Sequence, residues 1–134
     1  PMSTLRLEIV TPERKVYEKD VAGVFVKGTA GELGILPRHI PLVTPLKVAP
    51  VRARRPEGGE DLIAVHGGFM EVRRDKVVIL AEAAELPEEI DVDRALRAKE
   101  RAEERLRHRE HYDFRRAEIA LQRALTRLEV TGRK

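Results

Sequence analysis

Glycine and proline divide this sequence into two parts with different folding physics. All eight prolines and eight of the nine glycines lie between Pro1 and Pro87, whereas the stretch from Glu88 to Thr131 contains neither residue. Glycine and proline mark the turns between short strands, and the second stretch is rich in the helix formers Ala, Leu, Glu and Arg. We therefore expect a strand-built domain over residues 1–87 and a helical domain over residues 88–134.

Short apolar segments separated by turn residues characterise the first part. Leu5, Leu7 and Ile9 alternate with polar residues, as in a strand with one buried face. Further apolar segments occupy residues 24–27, 42–43, 48–51, 62–65, 69–72 and 77–80. The regular spacing of turn signals between such short strands predicts a small β-sandwich or barrel.

Composition excludes several classes of protein. The chain has no cysteine, which rules out disulfides and thiolate metal sites. No apolar run approaches the roughly 18 residues needed to cross a bilayer, and no signal segment opens the chain. We therefore expect no membrane insertion and a reducing, cytosolic environment. The absence of asparagine, together with abundant Arg and Glu, is typical of thermophilic proteins.

Two apolar stripes at helical spacing predict a pair of helices in the second part. Asp91 and Asp113 are favourable N-caps, because their carboxylates can accept the unpaired amide protons of a first turn. The stripes consist of Ala95, Ala98, Ala102 and Leu106, and of Phe114, Ala117, Leu121, Ala124 and Leu128. They can pack as an antiparallel hairpin. The connecting residues 108–113 contain no turn-enforcing glycine or proline, so an extended arm competes with the hairpin.

Each predicted helix also carries arginines along one side. The first set is Arg94, Arg101 and Arg105, and the second set, with the same spacing, is Arg116, Arg123 and Arg127. Guanidinium groups arranged in this way suit the oxygens of phosphates. Two solvated basic faces explain the spacing equally well, and the sequence pattern leaves both interpretations open.

Catalytic and metal-binding sites are not indicated. No serine or cysteine lies near a base in the conspicuous Gly- and Pro-rich stretches, and His39 and His66 have no nearby companions for a metal. His108 and His111 are spaced as in a helical metal site, but exposed loop histidines explain them better. We therefore expect no catalytic residue and no metal ligand.

Two stretches resemble a known family. The segments GELGILPRHIPL, residues 31–42, and GGFMEV, residues 67–72, are similar to hallmark stretches of the epsilon subunit of the F-type ATP synthase. The resemblance covers essentially the whole chain. It implies a ten-stranded β-sandwich followed by a two-helix hairpin, in a non-catalytic subunit on the central rotor stalk, peripheral at the cytoplasmic face of the cell membrane. It further implies docking to the gamma subunit and the c-ring through Gly31, Glu32, Leu33, Gly34, Ile35, Leu36, Pro37, His39, Pro41, Gly68 and Phe69.

The segment IDVDRA, residues 90–95, resembles the motif of epsilon subunits that bind ATP in the folded hairpin. The resemblance implies that the adenosine end is surrounded by Glu85, Ile90, Asp91, Arg94 and Ala95. It implies that the phosphates are held by Arg101, Arg116, Arg123 and Arg127. No Gly-rich phosphate loop is present, so ATP would be a regulatory ligand rather than a substrate. Whether magnesium accompanies the ATP is left open.

The resemblance thus implies a regulatory subunit that inhibits ATP hydrolysis by the ATP synthase. ATP would hold the hairpin against the sandwich, and in its absence the helices would extend and meet the catalytic beta and alpha subunits, blocking ATP hydrolysis. Two alternatives remain. The chain could be a purely structural rotor subunit without nucleotide sensing. It could also be a basic nucleic-acid-binding module, although its few aromatic residues and the lack of a docking motif favour no nucleic-acid partner.

Overall fold

The computed structural model describes residues 3–108 and 113–132. Within them, eight strands precede a short 3₁₀ turn and two α-helices. The strands are β1 (Leu5–Val10), β2 (Lys15–Val21), β3 (Gly23–Gly28), β4 (Gly31–Ile35), β5 (Leu42–Arg54), β6 (Glu60–Val72), β7 (Lys76–Ala81) and β8 (Ala84–Glu85). The 3₁₀ turn is Pro87–Glu89, and the helices are α1 (Val92–Arg107) and α2 (Phe114–Val130). The predicted β-sandwich followed by two helices is confirmed.

The strand count differs from the expected ten because β5 and β6 are long strands shared by both layers. The ladder between them keeps one register from Leu42 and Val72 to Arg54 and Glu60, and it lacks the pair at Lys47 and Gly67. Residues 68–72 of β6 pair with β7, which pairs in turn with β1, whereas residues 64–65 of β6 pair with β8 and residues 52–54 of β5 pair with β3. Segments that looked separate in the sequence are therefore the two halves of one strand.

The prolines of β5 lie at positions that are not paired with β3. The ladder between β3 and β5 joins residues 23–25 to residues 52–54 and Gly28 to Leu46, and it skips the region between them. Pro45 and Pro50 fall outside those pairs, so no ladder bond to β3 is lost at either proline. A long internal strand can therefore contain residues that usually exclude a central strand.

The apolar core lies between the two layers of strands. It includes Leu7, Ile9, Ile63, Met70 and Ile79, all without solvent exposure. Leu5, Leu7 and Ile9 all belong to it, as their alternation predicted. Outside this core, α2 packs on β5 and β6. The hairpin therefore lies against the shared strands of the sandwich.

The two helices pack through small side chains. Ala95 and Ala102 of α1 and Ala117 and Ala124 of α2 are buried, as the predicted stripes require. Such side chains bring the helices close together but bury little apolar area, and burial contributes about 25 cal/mol per Å². His108 ends α1 as its C-cap, and the predicted turn with His111 lies outside the described residues.

The linker between the sandwich and α1 is fastened at one end. The Glu89 carboxylate accepts a hydrogen bond from the Leu86 amide at 2.9 Å and from the Arg14 guanidinium at 2.8 Å. Ile90 and Asp91 follow in extended conformation before α1 begins. The strand-built part thus holds the linker up to Glu89.

Candidate functional site

A cleft of about 370 Å³ lies where the linker, β8 and the two helices meet. Its walls are formed by Glu85, Glu89, Ile90, Asp91, Arg94, Ala95, Ala98, Arg101 and Arg127. Seven of the nine residues expected to contact ATP are among them. Glu89 and Ala98 were not predicted to line the site, although Ala98 lies one turn beyond Arg94 and is the small residue between the two cleft arginines of α1.

Helical spacing explains why α1 presents these residues to one cleft. Arg94, Ala98 and Arg101 are separated by four and three residues, so they occupy one face of the helix. Asp91 precedes that face as the N-cap, and its Oδ1 accepts a hydrogen bond from the Arg94 amide at 3.0 Å. Alanines at positions 95 and 98 leave space between the charged groups.

Glu85 is the carboxylate through which the sandwich contacts α2. Its Oε1 accepts hydrogen bonds from His66 Nε2 at 2.7 Å and Arg127 Nε at 2.8 Å, and Arg127 Nε lies 3.1 Å from Oε2. Burial alone would raise the pKa of Glu85, but the hydrogen bonds from His66 and Arg127 outweigh it and hold that pKa below 4.5. Glu85 is therefore ionised at neutral pH and acts only as an acceptor.

The charges of the cleft are unequally compensated. Three carboxylates line it, but Glu85 binds Arg127, Glu89 binds Arg14, and Asp91 caps α1. Within residues 3–108 and 113–132, the guanidinium groups of Arg94 and Arg101 form no ion pair. The two uncompensated cations indicate that the cleft suits an anion with polar groups nearby.

A second cleft of about 560 Å³ follows along the hairpin. Arg105, Arg116 and Arg123 line it together with Asp113 and Ala120. Arg116 and Arg123, which were expected beside the phosphates, therefore do not share the first cleft with Arg101 and Arg127. Since Arg105 follows Arg101, and Arg127 follows Arg123, by one helical turn of about 6 Å, the two clefts are successive along the same helices.

The residues expected to dock on the rotor occupy different environments. The segment 31–35 forms β4, in which Ile35 is 1% exposed and belongs to the core. Leu36 and Ile40, in the loop that follows, are exposed. Pro37, His39 and Pro41 lie in the same loop. The core position of Ile35 means that its side chain serves the fold and is not available to a partner.

Phe69 belongs to an exposed apolar strip on the sandwich. It lies opposite Leu80 across the β6–β7 ladder, and Val43 on β5 is its diagonal neighbour. All three side chains are exposed, and we refer to Val43, Phe69 and Leu80 as the apolar strip. Gly68 permits the close approach of β6 and β7 beneath it, because a Cβ there would overlap the carbonyl oxygen of Leu80.

The described residues contain neither a metal-binding cluster nor a membrane-spanning helix. Among residues 3–108 and 113–132, no group of three or more His, Asp or Glu side chains is arranged to hold a metal ion. In the same part of the chain, neither helix is long and apolar enough to cross a membrane.

Comparison with protein families identifies both parts of the chain. Residues 4–87 match the beta-sandwich domain of the ATP synthase delta/epsilon chain, and residues 88–132 match its long alpha-helix domain. The chain belongs to the ATP synthase delta/epsilon family. The resemblance found in the two Gly-rich stretches is thereby confirmed at the level of the family.

Individual relatives agree with this assignment. The ATP synthase epsilon chain of Halalkalibacterium halodurans is 60% identical over 134 residues, which cover 98% of this chain and 100% of the relative. The ATP synthase epsilon chain of Bacillus velezensis is 54% identical over 132 residues, covering 98% and 99%. Family membership therefore rests on similarity over nearly the whole length.

Solved structures give the same fold. A chain of the Euglena gracilis mitochondrial ATP synthase, in an assembly of OSCP, F1 and c-ring, matches with a TM-score of 0.81 at 25% identity, over 95% of this chain and 80% of that one. A chain of the Tetrahymena thermophila mitochondrial ATP synthase, in its central stalk and c-ring, matches with a TM-score of 0.53 at 15% identity, over 63% and 68%. The second similarity concerns the fold alone.

Proposed function

We propose that this chain is a non-catalytic subunit of the central rotor stalk of a proton-translocating F-type ATP synthase, where it couples the catalytic head to the c-ring. Support comes from family membership over residues 4–132 and from the Euglena structure, whose assembly contains F1 and the c-ring. In this role the chain is peripheral, at the cytoplasmic face of the cell membrane.

The apolar strip supports an assembly role for the sandwich. Val43, Phe69 and Leu80 are large apolar side chains exposed side by side on adjacent strands, and contiguous apolar surface of this kind marks protein contacts. We assign the strip, and separately the exposed Leu36 and Ile40 in the loop between β4 and β5, to contacts with the gamma subunit and the c-ring.

We further propose that the first cleft binds ATP as a regulatory ligand. The observation that carries this proposal is the pair of uncompensated guanidinium groups, Arg94 and Arg101, in a cleft that also presents Asp91 and Glu85 as acceptors. Acceptors suit the hydroxyl and amino groups of adenosine, the end at which the resemblance places Arg94, and the guanidinium group of Arg101 suits phosphate oxygens. Arg123, one turn from Arg127, and Arg116, about two turns beyond Arg123, extend the basic surface for the distal phosphates.

Regulation follows from the small area that holds the hairpin. Because the seam between the helices is mostly alanine, a ligand that bridges the linker, α1 and α2 adds a substantial part of the folded hairpin's stability. In the proposed mechanism ATP keeps the hairpin folded. Without ATP the helices extend along the gamma subunit, and their arginines contact acidic surfaces of the catalytic beta and alpha subunits, blocking hydrolysis.

Calorimetric titration of the chain with ATP, ADP and GTP, with and without magnesium, tests the ATP site. We expect selective ATP binding that is weakened at least tenfold in Arg94→Ala and Arg101→Ala, since a charged hydrogen bond contributes about 1.5–3 kcal/mol. Arg97→Ala removes the same charge from α1 at a position outside the cleft, and its affinity should stay within about threefold of wild type. No binding of any nucleotide would reduce the proposal to a rotor subunit without sensing.

Truncation after Glu89 tests the proposed inhibition of ATP hydrolysis by the helices. The shortened chain retains the fastened linker and all eight strands, so it should still assemble with the rotor. ATP hydrolysis by the assembled enzyme should then be faster than with the full chain at low ATP. Persistent inhibition with the truncated chain would refute the proposed role of the helices.

A further inference from the structure

A buried histidine lies behind the first cleft. His66, on β6, is 1% exposed, and its Nε2 lies 2.7 Å from Glu85 Oε1. Its Nδ1 has no hydrogen-bond partner among the described residues. A buried polar atom without a partner is costly, so an apolar side chain would suit this position better if packing were the only requirement. The hydrogen bond to Glu85 is the interaction that distinguishes histidine here.

The same carboxylate determines how Arg127 is used. Glu85 binds Arg127 only through Nε. Both terminal nitrogens of the Arg127 guanidinium have no partner within residues 3–108 and 113–132, and the side chain lines the cleft. Arg127 is thus held at its inner nitrogen, while the two outer nitrogens remain available to an anion. Such a guanidinium binds phosphate with less loss of side-chain freedom.

We propose that His66 is a positioning residue of the nucleotide cleft: it fixes Glu85 from behind, and Glu85 in turn orients Arg127 toward the phosphates. The inference rests on the proposed ATP binding. Without the bond from His66, the Glu85 carboxylate can rotate and take the outer nitrogens of Arg127, which removes the donors that a phosphate requires. His66 would therefore act on the ligand through two other residues, without touching it.

We call His66, Glu85 and Arg127 the relay, and charged side chains of both signs surround it. Glu85 contacts His66 of β6 and Arg127 of α2. The charged residues that line the cleft with it, from the linker and α1, are Glu89, Asp91, Arg94 and Arg101. On its other side His66 borders a crevice lined by Lys47, Glu82, Arg115, Glu118 and Arg123. The test must therefore measure the pKa of Glu85 itself, because many charged groups contribute to the pH dependence of ATP binding.

Two substitutions separate the donor from the bulk of the side chain. His66→Gln retains an N–H donor, whereas His66→Leu fills the space without one. We expect His66→Leu to weaken ATP binding about five- to tenfold and His66→Gln to remain within about twofold of wild type. Carbon-detected NMR titration of the nucleotide-free chain should show the pKa of Glu85 rising in His66→Leu and staying low in His66→Gln.

A double-mutant cycle distinguishes positioning from general stability. In a Glu85→Gln background, His66→Leu should cause no further loss of ATP affinity, because the relay is already broken. An equal loss in both backgrounds would assign His66 a purely structural role and overturn the inference. Should His66→Leu fail to fold, ring ¹⁵N shifts of the unmodified chain provide the test. They should show Nε2 protonated and bound to Glu85 with and without ATP, and loss of that bond with ATP would contradict the relay.

The two proposals fail in different ways. Unchanged ATP affinity in His66→Leu, with clear binding by the unmodified chain, overturns only the role of His66. Absence of ATP binding in the unmodified chain overturns both.

Discussion

Replacing Asp91 by alanine separates two functions that the structure combines in one side chain. Asp91 Oδ1 caps α1 through the Arg94 amide at 3.0 Å, and its other carboxylate oxygen has no partner within residues 3–108 and 113–132. Asp113 caps α2 in the same way through the Arg116 amide at 3.1 Å, but it lies outside the first cleft. Because Asp113 lines the second cleft beside Arg116 and Arg123, Asp113→Ala is a matched control both for the loss of a cap and for the loss of a negative charge near the phosphates.

The structure sets the expected magnitudes. Each substitution should destabilise its helix by about 1 kcal/mol, because the two cap bonds have nearly equal geometry. Only Asp91→Ala also removes an acceptor from the cleft, which contributes about 1.5–3 kcal/mol if it binds a donor of the nucleotide. ATP affinity should then fall about tenfold to 150-fold more in Asp91→Ala than in Asp113→Ala.

Calorimetric titration with ATP measures the affinities, and circular dichroism of the nucleotide-free variants measures the shared loss of helix. The comparison also has an opposite possible outcome. If Asp91 only caps α1, its removal takes a negative charge away from the phosphates. ATP affinity would then equal or exceed that of Asp113→Ala, which would refute the contact.

Three further changes test the structure more widely. Glu85→Gln should lower the melting temperature at pH 7. Because the pKa of Glu85 is lowered from its usual 4.5, the contribution of this carboxylate to stability is present above that pH and is lost as the pH falls through the folded-state pKa. The difference in melting temperature between variant and wild type should therefore close in acid. Gly31 and Gly68 both have a positive φ, but only a Cβ at Gly68 would meet β7. Denaturant unfolding should therefore show that Gly31→Ala lowers the free energy of unfolding by about 1–3 kcal/mol and that Gly68→Ala lowers it by about 1–3 kcal/mol more. Equal losses would contradict the close approach of β6 and β7. Leu128→Ala should cost about 2–5 kcal/mol because Leu128 is fully buried, and a loss below about 1 kcal/mol would mean that α2 is not packed on the sandwich in solution.

Local signals in the sequence predicted the elements better than their continuity. The alternation in β1 and the caps at Asp91 and Asp113 depend on neighbouring residues, and the structure reproduces them. The continuity of β5 across Pro45 and Pro50 depends on where β3 leaves the ladder, which is a long-range property. The ten expected strands therefore became eight, two of which are shared between layers.

The candidate site shows the same limit. Helical spacing placed Arg94, Arg101 and Arg105 on one side of α1; the first two line one cleft with Asp91, whereas Arg105 lines the next cleft. Spacing could not show that Arg116 and Arg123 line the next cleft, since that depends on the register of the two helices. The sequence indicated only that His66 lacks nearby companions for a metal, and its contact with Glu85, 19 residues away, depends on the pairing of β6 with β8.

The fastened linker also determines the mechanics of the hairpin. Arg14 and Leu86 hold Glu89, and the cap at Asp91 starts α1, so only Ile90 and Asp91 can change conformation between two rigid parts. Helix α1 has 16 residues and is therefore a lever about 24 Å long. A rotation of about 10° at those two residues moves its far end by about 4 Å, which is roughly the rise of three helical residues. The residues proposed to hold the nucleotide are thus also the pivot of the lever, where a small angular restraint controls the largest displacement.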